Sequence, residues 1–176
     1  SLHEILPEEP RRAAVLSPLI WVAPEWHILF TRRNANLPEH SGQVAFPGGG
    51  VDPGEVYPED TALREAEEEI GLLPRQVRVL GRLSDYYSIT NFLITPVVGV
   101  IAWPFDVKLS ISEVSRVFTI PLKWLADPAN REQRLYTRPN GRQEWVIFYQ
   151  LYDGELLWGI TARIVVNFLQ TLQITT

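Results

Sequence analysis

Residues 46–72 read FPGGGVDPGEVYPEDTALREAEEEIGL, and both the fold and the chemistry turn on this stretch. Three consecutive glycines, Gly48, Gly49 and Gly50, precede a short segment that crowds together Glu65, Glu67, Glu68 and Glu69. Like charges three or four residues apart on a helix repel, each pair costing about 0.2–0.5 kcal/mol. Stability alone does not select such crowding. Pro58 at the start and Gly71 with Pro74 beyond the end predict a helix from Pro58 to about Ile70. At roughly 100° per residue, Glu65, Glu68 and Glu69 share one arc of that helix. Ala62, Leu63, Ala66 and Ile70 form the adjoining arc facing the core, Glu67 points to solvent, and Arg64 sits one turn before Glu68.

Three carboxylates at the edge of a core offer hard oxygen donors, the kind that Mg²⁺ or Mn²⁺ prefers and zinc does not. Their repulsion raises at least one pKa, and a divalent cation removes the penalty. Helix geometry by itself admits a solvated acidic face equally well. The glycines shift that balance. Gly48, Gly49 and Gly50 allow positive φ and close backbone approach, so that a carbonyl or amide reaches a metal or phosphate. No Gly-Lys-Ser/Thr enters the helix, so this is not a phosphate loop of the nucleotide-triphosphatase kind.

The flanking sequence is β-rich. AAVLSPLIWVA (13–23) and HILFTRR (27–33) read as strands split by Pro24 and Glu25, with Pro18 demoting the first to an edge or demanding a bulge. QVAF (43–46) is a short strand running into the glycine loop. VRVLGRL, LITPVVGVIA, VSRVFTIPL and EWVIFYQLYD carry the β-branched and aromatic residues of further strands. Asn140-Gly141 between RLYT and EWVIFYQL predicts a two-residue hairpin turn, and Asp153-Gly154 a second turn. Ile164, Val165, Phe168, Leu169 and Leu172 stand at helical spacing in a C-terminal amphipathic helix. The expected class is α+β, a mixed sheet between helices in one domain over residues 1–176, with residues 1–12 peripheral.

The 176 residues carry a net charge of −5, which gives no bulk attraction to nucleic acid or to an anionic membrane. No apolar run approaches the roughly 20 residues that span a bilayer. Cys is absent, which excludes disulfides, zinc thiolates and cysteine nucleophiles and fits a reducing, cytoplasmic compartment. The chain opens on Ser1 and contains no Met, so a further N-terminal segment is expected ahead of it.

Residues 49–72 resemble the Nudix hydrolase signature G-x5-E-x7-R-E-U-x-E-E-x-G-U, where U is a bulky apolar residue. Gly49, Glu55, Arg64, Glu65, Glu68, Glu69, Gly71 and Leu72 match, and Ala66 is a small stand-in for U. Eight residues rather than seven separate Glu55 from Arg64, which makes the place of Glu55 the open point of the match. Upstream, LFTRRNANLPEHSGQVAFPGG resembles the segment of the coenzyme A pyrophosphatase branch, roughly L-L-T-x-R-S/A-x3-R-x3-G-x3-F-P-G-G. Leu29, Thr31, Arg33, Gly42, Phe46, Pro47, Gly48 and Gly49 fit, whereas Asn34 and Pro38 stand where the pattern has Ser/Ala and a second Arg. SEVSRVFTIPL and LLWGITARI are also similar to this branch, so the likeness covers about residues 13–170.

The resemblance implies a Nudix fold and metal-dependent cleavage of a nucleoside diphosphate derivative. The preferred substrate is coenzyme A, giving phosphopantetheine and adenosine 3′,5′-bisphosphate. Glu65 and Glu69, with Glu68 and the carbonyl of Gly49 or Gly50, would hold Mg²⁺ or Mn²⁺. Glu113 or Glu68 would serve as general base, with Arg64 beside them. Arg33, Arg32, His40, Gly48 and Gly50 would meet the substrate. Another nucleoside diphosphate derivative, such as ADP-ribose or a dinucleotide, is the nearest alternative. A non-catalytic ligand-binding module of the same fold is the alternative of another class.

Overall fold

A computed structural model of the chain describes residues 8–38 and 42–174. Among the described residues ten strands and three α-helices follow the order β1 (Arg11–Val22), β2 (Glu25–Arg33), β3 (Val44–Ala45), β4 (Gly48–Gly50), α1 (Pro58–Ile70), β5 (Val77–Arg82), β6 (Tyr86–Tyr87), β7 (Phe92–Ile101), β8 (Val114–Pro121), α2 (Leu122–Ala126), β9 (Arg131–Thr137), β10 (Gln143–Tyr149) and α3 (Gly159–Thr171). Eight strands make one mixed sheet and β9–β10 a separate hairpin. The sheet lies between α1 on one face and α2 with α3 on the other, the α+β sandwich expected from the sequence. Strand alternation produces the two layers. Ala14, Leu16 and Ile20 of β1 pack with Ala62, Ala66 and Ile70 of α1, while Leu19 packs with Ala162, Val165 and Phe168 of α3. Arg11 and Arg12 belong to β1 rather than to a peripheral segment, since Arg11 pairs with Phe92 of β7.

Pro18 does not mark an edge. β1 is central, parallel to β7 along one side and shared by β2 and β4 along the other. β4 covers Ala13 to Val15 and β2 covers Leu19 to Val22. The Leu16 N–H bonds the Pro47 carbonyl at 2.8 Å, so residue 18, of the same parity, aims its missing N–H at the gap between those two partners. A proline fits a central strand at that one place. Because β1 and β2 diverge there, residues 44–50 wedge between them, β3 on β2 and β4 on β1.

The register of β2 against β8 shifts between Arg32 and Arg33, leaving Ser115 as the extra residue of a bulge. Its effect is a change of phase. Phe118 and Ile120 of β8 face α3, whereas Val114, of the same parity, faces α1. Asn140-Gly141 closes a longer turn than a two-residue one. The Arg138 N–H bonds the Arg142 carbonyl, and Gly141, at φ 81°, completes a three-residue loop in which Pro139 favours the preceding turn. Asp153 and Gly154, with φ of 49° and 74°, form the expected tight turn. Leu172 falls at the end of α3 and is 39 % exposed, so the buried stripe stops at Leu169.

α1 spans the expected residues. Asp60 accepts from the Tyr57 N–H at 3.2 Å, and Glu59 and Asp60 suit the positive end of the helix. At the other end Gly71 adopts φ 73° and its N–H bonds the Glu67 carbonyl. The segment after β7 closes on this end, with Lys108 N–H bonding Ile70 O at 3.0 Å and Ser110 N–H bonding Glu69 O at 2.9 Å. A Cβ on Gly71 would lie 2.8 Å from Lys108 Cβ. Gly71→Ala therefore meets both a left-handed backbone and a packed neighbour, and is expected to destabilise the protein by roughly 1–3 kcal/mol. Thermal melting checks this; an unchanged Tm would contradict the cap.

Candidate active site

The C-terminal half of α1 brings its carboxylates to the wedge of residues 44–50. Gly48, Gly49 and Gly50 are extended, not left-handed, so their freedom is used for close approach. A Cβ on Gly49 would stand 2.6 Å from Glu65 Oε1, and one on Gly48 would stand 2.5 Å from the Ala14 carbonyl oxygen. Glycine is what lets the helix carboxylates touch the strand. The Arg12–Val51 and Leu16–Pro47 bonds fix the register, which turns the peptide groups of Gly49 toward Ala14. Of the two carbonyls considered, that of Gly49 therefore points to Ala14 rather than to the helix, whereas the neighbouring Gly48 turns the other way and its backbone N–H bonds Glu69. The Gly50 carbonyl accepts from Arg64 Nη2 at 3.0 Å.

Arg64 organises the outer carboxylates. Glu55 takes its Nε and Nη2 at 3.1 and 3.0 Å and is itself held by Thr61 Oγ1 and the Asp52 N–H. Arg64 Nη1 reaches Glu65 Oε1 at 2.9 Å and Glu68 Oε2 at 3.3 Å, and its Nε lies 3.2 Å from Asp52 Oδ2. The extra residue in the 56–63 segment is absorbed without moving Glu55 out of reach. Hydrogen bonding to Arg64 holds the Glu55 carboxyl below its usual range, and the same bonds raise the pKa of the guanidinium. Glu67 is exposed, as expected from its arc.

Glu69 is different in kind. It is 5 % exposed, and burial, then the charges of Glu65 and Glu113, push its pKa up to about 8. Arg33 opposes this from nearby. Burial also raises Glu65, against the pull of Arg64. The carboxylates stand at the negative end of α1, whose last turn holds no basic residue. Arg33 itself has a buried Nε without a hydrogen-bond partner. Among the described residues no three His, Asp or Glu side chains already form a closed metal cage, because Glu65 and Glu68 turn to Arg64. The donor set is nonetheless all oxygen and short of positive charge, which fits a hard divalent cation.

Arg32 does not join this site. Alternation along β2 puts it on the α3 face, where Nη1 bonds the buried Glu155 at 3.0 Å and Nε bonds Ser115 Oγ at 3.1 Å. Arg116 Nη1 shares the same Glu155 oxygen at 3.0 Å, and Arg116 also pairs with Asp153. Nothing in the spacing of residues 32, 116 and 155 announces this cluster, although the Asp153-Gly154 turn places Glu155. Glu113 sits in the turn before β8, close enough to raise Glu65 and Glu69. Glu68 is 56 % exposed at its side chain. His40 lies outside the described residues.

Two outcomes follow from this geometry. Glu69 titrates near 8 in the folded chain against an ordinary 4.5, so between those values the folded state holds a proton that the unfolded state lacks. Without added cation, Tm should fall as pH rises through this window, and Glu69→Gln should flatten the slope. Mg²⁺ competes with that proton, so the rise in Tm it produces should be larger at the alkaline end; the reverse order would refute the assignment. The atoms nearest to a Cβ at Gly49 all belong to the Glu65 carboxylate, the far end of a flexible side chain, so Gly49→Ala should fold while Mn²⁺ binds about tenfold more weakly by calorimetric titration. Unchanged affinity would separate Gly49 from the metal question.

The NUDIX domain family matches residues 10–134. A Photorhabdus laumondii protein, named uncharacterized Nudix hydrolase NudL, is 39 % identical over 169 residues, covering 96 % of this chain and 89 % of its own. Its Escherichia coli counterpart is 39 % identical over 156 residues, covering 88 % and 79 %. Among solved structures, the Nudix hydrolase RenU of M. smegmatis superposes with a TM-score of 0.63 at 18 % identity, over 95 % of this chain and 88 % of that one. A C. elegans Ap4A hydrolase gives a TM-score of 0.55 at 25 % identity, over 63 % and 80 %. The glycine wedge, the Glu55–Arg64 clamp and the buried Glu69 are thus set in a chain that belongs to the Nudix hydrolase family.

Proposed function

We propose that this chain is a metal-dependent pyrophosphohydrolase that cleaves coenzyme A or its derivatives into a phosphopantetheine and adenosine 3′,5′-bisphosphate, acting as a single domain over residues 1–176. The observation that carries the hydrolytic reading is the buried Glu69 carboxylate, set against Glu65 and Glu113 with the unpartnered Arg33 Nε nearby. Such a pocket favours a divalent cation together with an anionic oxygen. Glu65, Glu68 and Glu69, with the Gly48 carbonyl, would hold Mg²⁺ or Mn²⁺. When bound, that cation supplies positive charge to the diphosphate and acidifies water.

The chain's own groups do the rest. Arg33, on the same face as Glu69, binds a phosphate oxygen through its guanidinium, whose Nε has no partner within the protein. Arg64 contributes by orientation: clamped by Glu55, it fixes Glu65 and steers Glu68. Glu113 takes the proton from the attacking water, with Glu68 as the other candidate for that step. Arg32 is left out because Glu155 and Ser115 occupy it. The coenzyme A preference rests on the sequence likeness through Thr31, Arg33, Gly42 and Phe46 to Gly49. Asn34 and Pro38 depart from that pattern and keep ADP-ribose and dinucleotides as the rival substrates.

Turnover of coenzyme A, ADP-ribose and Ap4A with Mg²⁺ or Mn²⁺, products resolved by chromatography, tests the reading. Coenzyme A should be preferred, and Glu69→Gln should lower kcat at least about 100-fold. Turnover of ADP-ribose or Ap4A alone would keep the chemistry and end the coenzyme A assignment. No turnover of any of them would favour a ligand-binding module.

A further inference from the structure

We infer that Asn34 is a positioning residue, which holds the turn of Glu113 against the carboxylates of α1. Three hydrogen bonds carry the inference. The Asn34 N–H bonds the Glu113 carbonyl at 2.8 Å, and Asn34 Nδ2 donates to the Ile111 carbonyl at 2.6 Å. Asn34 Oδ1 accepts from the Asn36 N–H at 3.0 Å. The carboxamide is therefore fixed at both ends, its oxygen by a local Asx turn and its nitrogen by the turn across the sheet.

The place matters as much as the bonds. Asn34 directly follows Arg33, and the bulge at Ser115 reverses the phase of β8 just after the Glu113 turn. On its other side the turn is tied to α1 through Ser110 N–H and Glu69 O, and Glu113 N–H closes on Ser110 O at 2.9 Å. Residues 110–113 are thus pinned to α1 at one end and to β2 at the other. Removing the Asn34 amide releases Ile111, two residues before the carboxylate, while the Glu113 backbone keeps its bonds to Asn34 and Ser110, so the turn loosens without detaching. A displacement of about 1 Å in a catalytic group is enough to cost a large factor in rate. The coenzyme A branch pattern has Ser or Ala at this position, and neither side chain reaches the Ile111 carbonyl, so the clip is a feature of this chain.

The inference rests on the reading that Glu113 serves the reaction, and a double-mutant cycle separates the two. Asn34→Ser deletes only the side-chain clip. In Mg²⁺-dependent turnover it should lower kcat about tenfold with KM within about twofold, since Asn34 touches the turn and not the substrate. Glu113→Gln should lower kcat by itself, and Asn34→Ser added to it should cost nothing more. Equal losses from Asn34→Ser in both backgrounds would overturn the positioning role, as would a raised KM with kcat unchanged. A Glu113→Gln variant with full kcat would overturn the role of Glu113 and, with it, this inference. Should Asn34→Ser fail to fold, Asn34→Asp, which keeps the Asx acceptor and loses the donor, carries the same cycle.

Discussion

The carboxylate of Glu69, buried beside Glu65 and Glu113, is the constraint on which the other features of this protein converge. A buried carboxylate with like charges nearby is costly, and a fold built for stability alone would replace it by an apolar residue. Instead the surrounding structure is organised to hold it in place. Gly48 gives it a backbone donor, the glycines of β4 let α1 approach the strand, and the segment from Lys108 to Glu113 caps the helix end beneath it. Arg33 brings a partial counter-charge, and Arg64 restrains Glu65 and Glu68 so that repulsion does not splay them.

Sheet topology explains why a wedge stands there at all. Antiparallel β1 and β2 share hydrogen bonds only from Leu19 to Val22 and from Glu25 to Ile28, and beyond that they separate. The gap admits residues 44–50 as two short strands, one on each flank, with Pro18 where neither flank needs a donor. An opening in the middle of a sheet is an unusual place for backbone groups to face a helix. It gives the Gly48 peptide an exit toward Glu69 that an uninterrupted sheet would have closed.

Much of this was legible in the sequence because it is local. The bounds of α1, the core arc of Ala62, Ala66 and Ile70, the pairing of Arg64 with Glu68 and the turn at Asp153-Gly154 all depend on spacing within a few residues. What escaped depends on pairing across the fold. Pro18 reads as an edge residue until β2 and β4 are seen to divide one side of β1. Arg32 reads as a substrate contact beside Arg33 until alternation sends the two to opposite faces, and Glu155 lies 123 positions from the Arg32 it pairs with. Gly48, Gly49 and Gly50 give no sign of which peptide faces the helix until the register with Ala14 turns Gly49 away and Gly48 toward Glu69.

The residues of the coenzyme A pattern divide into those that build and those that touch. Thr31 Oγ1 bonds the Ala45 carbonyl at 3.1 Å and joins β2 to β3, while Phe46 stacks on Phe30 with ring centres 5.2 Å apart. Gly48 and Gly49 permit contact that any Cβ would block. Of the matching residues, Arg33 is the one whose charged group lies beside Glu69 with a free donor. Most of the pattern therefore specifies how the wedge is made, which any diphosphate substrate would require. Discrimination between coenzyme A and its rivals has to come from side chains around this frame, and the positions where this chain departs from the pattern, Asn34 and Pro38, lie on the segment leading from Arg33. Asn34 already binds the Glu113 turn, so a departure in the pattern has become a contact between the strand that carries Arg33 and the turn that carries Glu113. A change at Asn34 is therefore felt at both ends of that contact, at the exit of β2 and in the turn of residues 110–113.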